Sequence, residues 1–352
     1  MTKKRIFMYA THATLVDHES YTFMKRGFDV YTAAWATNTR SRHSSTRPVE
    51  LNPLHPYRGK CDFLSEAVIE VLSKIDVSNG SVIHVPEVGK ALVDNFDILY
   101  VFQVTPWLLV YAEEFLKQGK KVIFRTSGIP LWSWGKPANY ESLMIYPNFY
   151  LLASNPFELT IGAFKGMQVP LIRMSLHPEL IDTTVKLDFT LPTVWAKPNE
   201  KFVLAVGETS LKGDIKLTHI MQNIGIDYKM INRGINYFSP SDCDKLFNTC
   251  YLFFDMNTAL LRYSPFEAIL HNKAVLVIEN GDMHKYMTMG KGVNVGFEYW
   301  HRGYEDTNKI KFYVDNSVAL DRVYQAQRLW LDGLLIEASD KWDKFIEENI
   351  ND

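Results

Sequence analysis

The sequence has little cysteine, no imbalance of charge and no long apolar run. Each of these absences argues against one class of protein. The three cysteines among 352 residues cannot all pair, and none stands in a Cys-x-x-Cys arrangement. The pattern therefore indicates neither a disulfide framework nor a zinc site. Lys and Arg number 38 and Asp and Glu 40, a net charge of −2, which argues against a protein that coats nucleic acid or membranes through a global basic field.

No stretch approaches the ~18 uninterrupted apolar residues of a membrane span, and the apolar run at the N-terminus is too short for a signal peptide. We therefore expect a soluble, cytoplasmic protein, in the host cytoplasm if the chain is viral. With 47% hydrophobic and 22% charged residues, the composition is typical of folded globular proteins. The length suffices for about two domains of ordinary size.

Apolar runs alternate with helical patterns along most of the chain. Arg5–Ala10 predicts a buried strand, Thr11–His18 a loop, Glu19–Arg26 a helix that ends at Gly27, and Phe28–Trp35 the next strand. A strand, a helix and a strand within about 30 residues form a βαβ unit, whose two strands are parallel. Repetition of this unit predicts an α/β fold of doubly wound, Rossmann-like domains.

The alternation breaks once, over residues 179–200, where prolines and mixed polar residues predict a linker. Residues 1–178 and 201–333 then form two doubly wound domains facing a cleft, with ligands expected at the carboxyl ends of the strands. Residues 334–352 form a further helix that packs back on the first domain.

The C-terminal part carries two more specific expectations. A strand is expected around Phe312, followed by a helix over Ser317–Leu331. In the last helix Ile336, Trp342 and Phe345 are spaced to share an apolar face that needs a partner.

A glycine turn follows the first strand of the second domain. Val206-Gly207 ends this strand, and Lys212-Gly213 opens the next helix. Backbone N–H groups at a helix start attract phosphate oxygens, and a lysine adds a positive charge; an ordinary turn with a solvated lysine is the alternative. Neither G-x-G-x-x-G nor G-x-x-x-x-G-K-[ST] occurs, so the dehydrogenase and P-loop classes lack their phosphate motifs.

A second helix start lies further along the chain, in the run from Arg262 to Ala268. Ser264 suits the helix cap, Pro265 and Phe266 the first turn, and Glu267 places a carboxylate in that turn. Such a carboxylate can simply favour the helix dipole, or it can accept two hydrogen bonds from the vicinal hydroxyls of a ribose.

Together these runs resemble the donor-binding half of GT-B glycosyltransferases, in the large retaining group that includes glycogen synthases. In that group a strand ends in Gly-Arg before a Lys-Gly helix start, and a later helix carries Glu-Ala-x-x-x-x-x-Pro-Val. Val206-Gly207 and Lys212-Gly213 match the first pattern. Glu267-Ala268 and Ala274-Val275 match the second, with alanine in place of the proline.

The resemblance implies an enzyme that moves a sugar from a nucleotide-sugar donor, which we expect to be UDP-linked, to an acceptor, with retention of configuration. It implies no cofactor and no metal, because Lys212 and helix N-termini meet the diphosphate charge. The implied donor-binding residues are Gly207, Lys212, Gly213, Ser264, Pro265, Phe266 and Glu267.

Two positions depart from the family pattern. Glu208 replaces the arginine that follows the strand, so a phosphate counter-charge must come from elsewhere, with Arg233 and Arg262 as candidates. The first of the family's paired glutamates, which touches the donor sugar, is replaced by Ala259. These departures keep open a catalytically silent nucleotide-sugar-binding partner subunit.

On the acceptor side we expect His12 and Arg125 to be catalytic, because each ends or follows a strand that faces the cleft. Trp107, Trp132, Trp134 and Tyr140 predict either a stacking surface or core packing. The sequence does not identify the acceptor, and the alternatives are a glycan, a small molecule and a modified DNA base. A bacteriophage-type DNA-modifying transferase, which would hold the duplex with the basic stretch from Arg40 to Lys60, and a nucleotide-sugar epimerase are further alternatives.

Overall fold

The structure is a computed structural model, and it describes residues 3–10, 13–35, 49–50, 64–72, 74, 77–78, 81–82, 85–102, 109–126, 142–154, 156, 168–173, 175–186, 202–207, 222, 225, 227–232, 240–255, 264–278, 299–300 and 307–351. The chain divides into two compact units. Unit 1 comprises Met1–His177 and Glu337–Asp352, and unit 2 comprises Pro178–Ile336. The chain therefore passes into unit 2 after residue 177 and returns to unit 1 after residue 336. The sequence predicts the first domain to end at residue 178 and the returning helix to begin at residue 334.

Unit 1 is built on a mostly parallel sheet. The strands described in this unit are β1 (Arg5–Ala10), β2 (Asp29–Trp35), β3 (Val49–Glu50), β4 (Val77–Ser78), β5 (Ser81–Val82), β6 (Ile98–Phe102), β7 (Lys121–Arg125) and β8 (Phe149–Leu152). Six of them form one sheet in the order β3-β2-β1-β6-β7-β8, in which only β3 is antiparallel to its neighbour. Strands β4 and β5 pair with each other as a small hairpin.

Helices cover both faces of this sheet. The helices described in unit 1 are α1 (Ala13–Met24), α2 (Glu66–Leu72), α3 (Pro86–Asn95) and α4 (Leu109–Lys117). Helices α2, α3 and α4 supply Leu72, Leu92 and Phe115 to an apolar cluster that also contains Phe7 and Phe124 of the sheet. Helix α1 lies on the other face.

Helix α3 is absent from the sequence-based expectations, although its signals are present. Pro86 occupies the first turn, where a missing N–H costs nothing, and Glu87 favours the helix dipole. Val88 and Leu92, four residues apart, are both fully buried, as expected for one helix face.

Unit 2 contains a second, fully parallel sheet. Its strands are β9 (Phe202–Gly207), β10 (Asp227–Asn232), β11 (Leu252–Asp255), β12 (Val275–Ile278) and β13 (Tyr299–Trp300). Their order is β10-β9-β11-β12-β13. The near-continuous apolar character of β9 and β11 is typical of strands that are buried on both faces.

Four helices are described after β10. They are α5 (Pro240–Thr249), α6 (Ser264–Leu270), α7 (Thr307–Asp315) and α8 (Ser317–Asn349). Helix α8 begins in unit 2 and ends in unit 1. Among the helices described, none is long and apolar enough to cross a membrane.

Several elements differ from the expectations. Helix α1 begins at Ala13, so residues expected in a loop up to His18 are helical. Phe312 lies in helix α7 and not in a strand. The expected break before residue 334 is absent, because α8 continues through Gly333, although glycine inside a helix costs about 1 kcal/mol relative to alanine.

The C-terminal part of α8 packs on unit 1 through aromatic and charged contacts. The Trp342 ring lies against Phe23, with ring centroids 5.1 Å apart. Arg26 pairs with Asp343 at 2.7 Å. Lys121 Nζ donates to the carbonyl of Asn349 at 2.7 Å, which places a positive charge at the helix C-terminus, where it is favourable. Ile336, expected on the same apolar face, is instead 64% exposed.

Candidate functional site

The chain connections of the second sheet change direction at one point, between strands β9 and β11. From β9 the chain moves outward to β10, whereas from β11 it passes through α6 to β12 on the other side. Strands β9 and β11 are neighbours, with Asp255 of β11 opposite Val206 of β9. In open parallel sheets, ligands bind outside the carboxyl ends of the strands at such a switch point. The residues that end or follow β9 and β11 are therefore the candidates.

Of the residues predicted to bind the phosphates, Gly207 ends β9 at this switch point. Lys212 and Gly213 lie outside the described residues, as do Glu208, Arg233, Ala259 and Arg262. The phosphate-binding role of the Gly207–Gly213 run stays a prediction.

Helix α6 follows β11 and begins at Ser264, as the sequence predicts within one residue. The Ser264 and Pro265 side chains are buried. Phe266 is buried too, and its ring stacks on Trp330 of α8 at 6.0 Å between centroids. Phe266 therefore orients α6 by packing and does not present its ring to a ligand.

Glu267 is the residue in this turn with a partly exposed side chain, whereas its neighbours Phe266 and Ala268 are buried. It lies in the first turn of α6, which begins on the carboxyl side of β11. The carbonyl of Glu267 accepts from the backbone N–H of His271 at 2.9 Å. The placement fits both interpretations of this carboxylate, helix-dipole stabilisation and ribose binding.

Asp255 is a buried carboxylate that is absent from the sequence-based expectations. It is the last residue of β11, and its exposed fraction is 1%. One feature of the sequence points to it, because the run Leu-Phe-Phe-Asp has a single acidic residue at the end of an otherwise apolar strand.

The catalytic expectation for Arg125 does not fit its surroundings. The side chain is fully buried, and one guanidinium nitrogen, Nη1, lies 2.7 Å from Glu19 Oε2. The other, Nη2, donates to the carbonyls of Ile172, at 2.9 Å, and Arg173. The guanidinium also lies 4.9 Å from the centre of the Trp342 ring. Arg125 thus joins segments of unit 1 and does not face a substrate.

The Arg125–Glu19 pair belongs to a larger buried network. Tyr100 Oη donates to Glu19 Oε2 at 2.7 Å, and the backbone N–H of Ser175 donates to Glu19 Oε1 at 3.3 Å. Trp342 Nε1 donates to Ser175 Oγ at 2.9 Å. Burial, followed by the nearby Glu19 charge, raises the pKa of Tyr100 well above its ordinary value. The phenol therefore stays protonated and donates.

His12 lies outside the described residues, so its catalytic role stays a prediction. It follows β1, and β1 lies where the strand order of the first sheet reverses, between β2 and β6. Trp107, Trp132, Trp134, Tyr140 and the basic stretch from Arg40 to Arg47 are also outside the described part of the chain, as are Arg58 and Lys60.

Two further histidines of unit 1 are joined at the point where the chain leaves it. His18 Nδ1 accepts from the backbone N–H of His177 at 3.0 Å, and His177 Nε2 lies 2.8 Å from Thr22 Oγ1. Thr22 Oγ1 in turn donates to the His18 carbonyl at 3.0 Å. These hydrogen bonds hold the segment that ends at His177, where the chain leaves unit 1, against helix α1.

His271 forms a comparable cluster in unit 2. Its Nδ1 lies 2.6 Å from Asn248 Oδ1, and its Nε2 lies 3.1 Å from Asp244 Oδ1. The Asn248 amide nitrogen donates to the carbonyls of Asp182 and Val185. This cluster attaches the start of unit 2 to α5.

Within the described residues, no three His, Cys, Asp or Glu side chains are grouped in a way that would hold a metal ion. Burial raises the pKa of the Cys250 thiol to about 12. The thiol is therefore protonated at neutral pH, which makes it a poor nucleophile and metal ligand.

No protein-family model matches the sequence, and no curated protein matches it either. Solved structures do match. A Neisseria meningitidis UDP-GlcNAc 2-epimerase bound to UDP-GlcNAc is 11% identical, with a TM-score of 0.57, over 99% of this chain and 100% of that chain. S. aureus MnaA, in a co-structure with UDP, is 12% identical, with a TM-score of 0.55, over 99% of this chain and 97% of that chain.

Anabaena HepE in complex with UDP-glucose is 10% identical, with a TM-score of 0.53, over 98% of this chain and 99% of that chain. At such identities these likenesses show the fold. The chain has two Rossmann-like α/β units of the GT-B type, as the sequence predicts.

Proposed function

We propose that the chain is a UDP-sugar-dependent enzyme that binds its nucleotide on unit 2 and transfers the sugar to an acceptor. The observation that carries the proposal is the switch point between β9 and β11, with Gly207 at one strand end and Glu267 in the helix that follows the other. Gly207 and the helix that carries Glu267 thus follow from neighbouring strand ends on the same edge of one sheet.

Within this proposal, the Glu267 carboxylate accepts hydrogen bonds from the ribose hydroxyls. Lys212 and the backbone after Gly207 meet the diphosphate, and no metal is required. The structures with bound UDP, UDP-GlcNAc and UDP-glucose support uridine as the base. His12 acts on the acceptor side, whereas Arg125 holds unit 1 together.

A second candidate reaction is epimerisation of the sugar at carbon 2, which the Neisseria neighbour favours by its own description. The two reactions differ in what they release. A transferase breaks the bond between the sugar and the diphosphate and passes the sugar to an acceptor hydroxyl. An epimerase returns an intact nucleotide-sugar with one inverted carbon.

Calorimetric titration tests the binding step. We expect UDP, UDP-glucose or UDP-GlcNAc to bind the wild type, in buffer with and without EDTA. Glu267→Gln and Lys212→Ala should each weaken UDP about 10- to 100-fold, because hydrogen bonds to a charged group contribute about 1.5–3 kcal/mol. Glu348→Gln is the matched control, since this glutamate is exposed near the end of α8. Unchanged UDP affinity in both site variants would refute the assignment, and loss of binding in EDTA would refute the metal-free site.

Product analysis tests the reaction. The wild type is incubated with UDP-GlcNAc or UDP-glucose, alone and with candidate acceptors: a glycan, a small-molecule alcohol and DNA with hydroxymethylated bases. Acceptor-dependent release of UDP supports transfer, and His12→Ala should then lower turnover far more than UDP-sugar affinity. An isomerised UDP-sugar without any acceptor would replace transfer by epimerisation.

A further inference from the structure

Large apolar side chains are exposed on helix α8. Val318, Leu329 and Ile336 are 62%, 77% and 64% exposed, and Phe312 of the preceding helix α7 is 51% exposed. A single apolar residue on a protein surface is common, but a group of them indicates an interaction site. The three on α8 all belong to unit 2, so the surface that they form lies on one unit.

These three residues belong to a regular pattern on the outer face of α8. The pattern has alternating spacings of four and three residues, and its members are Val318, Arg322, Gln325, Leu329, Asp332 and Ile336. We call these six positions the 318–336 stripe. Such spacings keep side chains on one face of a helix, and in coiled coils that face meets a second helix. Leu320 and Val323, on the opposite face, pack in the apolar cluster of unit 2, so the stripe faces away from this core.

Gly333 lies beside the stripe, between Leu329 and Ile336. A Cβ added at Gly333 would have no other atom of the described chain within 4 Å, so packing among the described residues does not require a glycine there. Glycine weakens a helix interior relative to alanine. On an exposed helix face, however, it allows a second backbone or a long side chain to approach closely.

The 318–336 stripe is complementary to itself when two copies run antiparallel. With a twofold axis midway along the stripe, the facing pairs are Val318 with Ile336, Arg322 with Asp332, and Gln325 with Leu329. Apolar side chains then meet at both ends, and opposite charges meet between them. A parallel pair would instead bring Arg322 against Arg322 and Asp332 against Asp332, which is unfavourable.

The Asp332 carboxylate can serve a second arginine. It accepts from Arg328 of its own helix at 2.9 Å, and its side chain is 45% exposed. An ionised carboxylate has about four acceptor sites, so this contact leaves some of them available. Gly333, the next residue, leaves room for the long Arg322 side chain of a facing helix.

A twofold interface uses the same patch on both partners and therefore needs a patch that is complementary to itself. We propose that the 318–336 stripe binds the same stripe of a second copy of this chain, with the two α8 helices antiparallel. A helix face about 27 Å long covers less surface than the ~800 Å² per partner of a standard interface. The dimer is therefore weak and reversible, and it does not depend on the proposed reaction.

Sedimentation equilibrium of the full chain tests for the dimer. We expect mostly monomer at about 5 μM and mostly dimer at about 500 μM, as for other small interfaces. Leu329→Asp should weaken dimerisation at least about tenfold, because it places a charge near the centre of the contact. Ile145→Asp is the matched control, since Ile145 is 78% exposed but lies in unit 1, and it should leave the dimer unchanged. A chain that stays monomeric at the higher concentration overturns the proposal, as does a dimer that Leu329→Asp weakens no more than Ile145→Asp does.

Charge reversal tests the antiparallel pairing. Arg322→Asp and Asp332→Arg each place like charges across the contact at two symmetric positions, and each should weaken dimerisation about tenfold. The double variant restores opposite charges at both positions and should recover most of the lost affinity. Urea unfolding at the lower protein concentration checks that all variants fold like the wild type. A double variant that dimerises no better than the single variants overturns the antiparallel pairing, and the proposal with it.

Discussion

Both units bury a charged residue at the carboxyl end of a parallel strand. Arg125 ends β7 in unit 1, where its guanidinium pairs with Glu19 and donates to the carbonyls of Ile172 and Arg173. Asp255 ends β11 in unit 2, beside the strand that ends in Gly207. The comparison shows that burial at a strand end does not by itself mark a binding site.

Helix α8 gives a second comparison, because the two units hold it by different means. In unit 2 the Gln327 side chain is fully buried, and its amide accepts from the N–H of Val275 at 2.9 Å and donates to the carbonyl of the same residue at 2.7 Å. In unit 1 the helix is held by Trp342, which packs on Phe23 and Arg125. A polar anchor in one unit thus corresponds to an aromatic anchor in the other.

The largest effect should follow from neutralising Glu19. In Glu19→Gln the buried Arg125 keeps its charge but loses its counter-ion, and breaking a buried pair costs about 3–5 kcal/mol. We expect a loss of that size in the free energy of unfolding in urea, with faster hydrogen exchange in α1 and β7. Asp343→Asn is the control, because that carboxylate is 63% exposed in its pair with Arg26, and exposed pairs contribute about 1 kcal/mol or less. Equal effects of the two substitutions would contradict the structural role of the Arg125 pair.

The next effect concerns the aromatic anchor of α8. Trp342→Ala should cost about 3–5 kcal/mol, the usual range for removing a buried aromatic side chain, and should speed hydrogen exchange over residues 337–350. Truncation after Ala338 should also expose the unit 1 surface and lower solubility, because it removes the buried Phe345, Ile346 and Ile350. Ile336→Ala is the control on the same helix and should change stability by less than about 0.5 kcal/mol. A soluble, monomeric and equally stable truncated protein would show that this packing is dispensable.

A smaller effect should follow from removing the polar anchor. In Gln327→Leu the N–H and carbonyl of Val275 lose their partners in a buried site, at a cost of about 1–3 kcal/mol. We expect a lower unfolding free energy and faster exchange of the Val275 amide, with no change in exchange at α1. Gln325→Leu, on the exposed side of the same helix, should leave both quantities unchanged. An unaffected Val275 amide in Gln327→Leu would argue against this anchor.

Much of this framework follows from the sequence, because parallel strands buried on both faces have strong local signals. The strands that end at Ala10 and Trp35 are predicted within one residue at each end. Helix ends are less well predicted. Thr14 to His18 contain polar residues that suit a loop, but the buried contacts of His18 and Glu19 extend α1 through them.

The roles of single residues are predicted less well than the elements that carry them. A sequence places Arg125 at the end of a strand but does not show that Glu19, 106 residues away, lies against it. The same holds for Asp255, because its place beside the strand that ends in Gly207 depends on β11 being the neighbour of β9. Contacts that join distant segments decide both assignments, and no local pattern encodes them.

The smallest effect is a change in how the stability of the protein depends on pH in the alkaline range. It concerns one buried group in each unit, Tyr100 in unit 1 and Cys250 in unit 2. Burial raises the pKa of Tyr100 well above its ordinary value of 10.0, and that of Cys250 from 9.0 to about 12. In the unfolded chain these groups lose their protons above about pH 10 and pH 9, whereas the folded protein keeps them. Each contribution to stability is therefore complete below the unfolded pKa and is lost as the pH rises above it, because the folded state then binds more protons than the unfolded state. We expect the urea midpoint of Cys250→Ala to fall less steeply than that of the wild type from pH 9 upward, and that of Tyr100→Phe from pH 10 upward. Midpoint curves that stay parallel to the wild type between pH 8 and pH 12 would show that neither group titrates differently on folding.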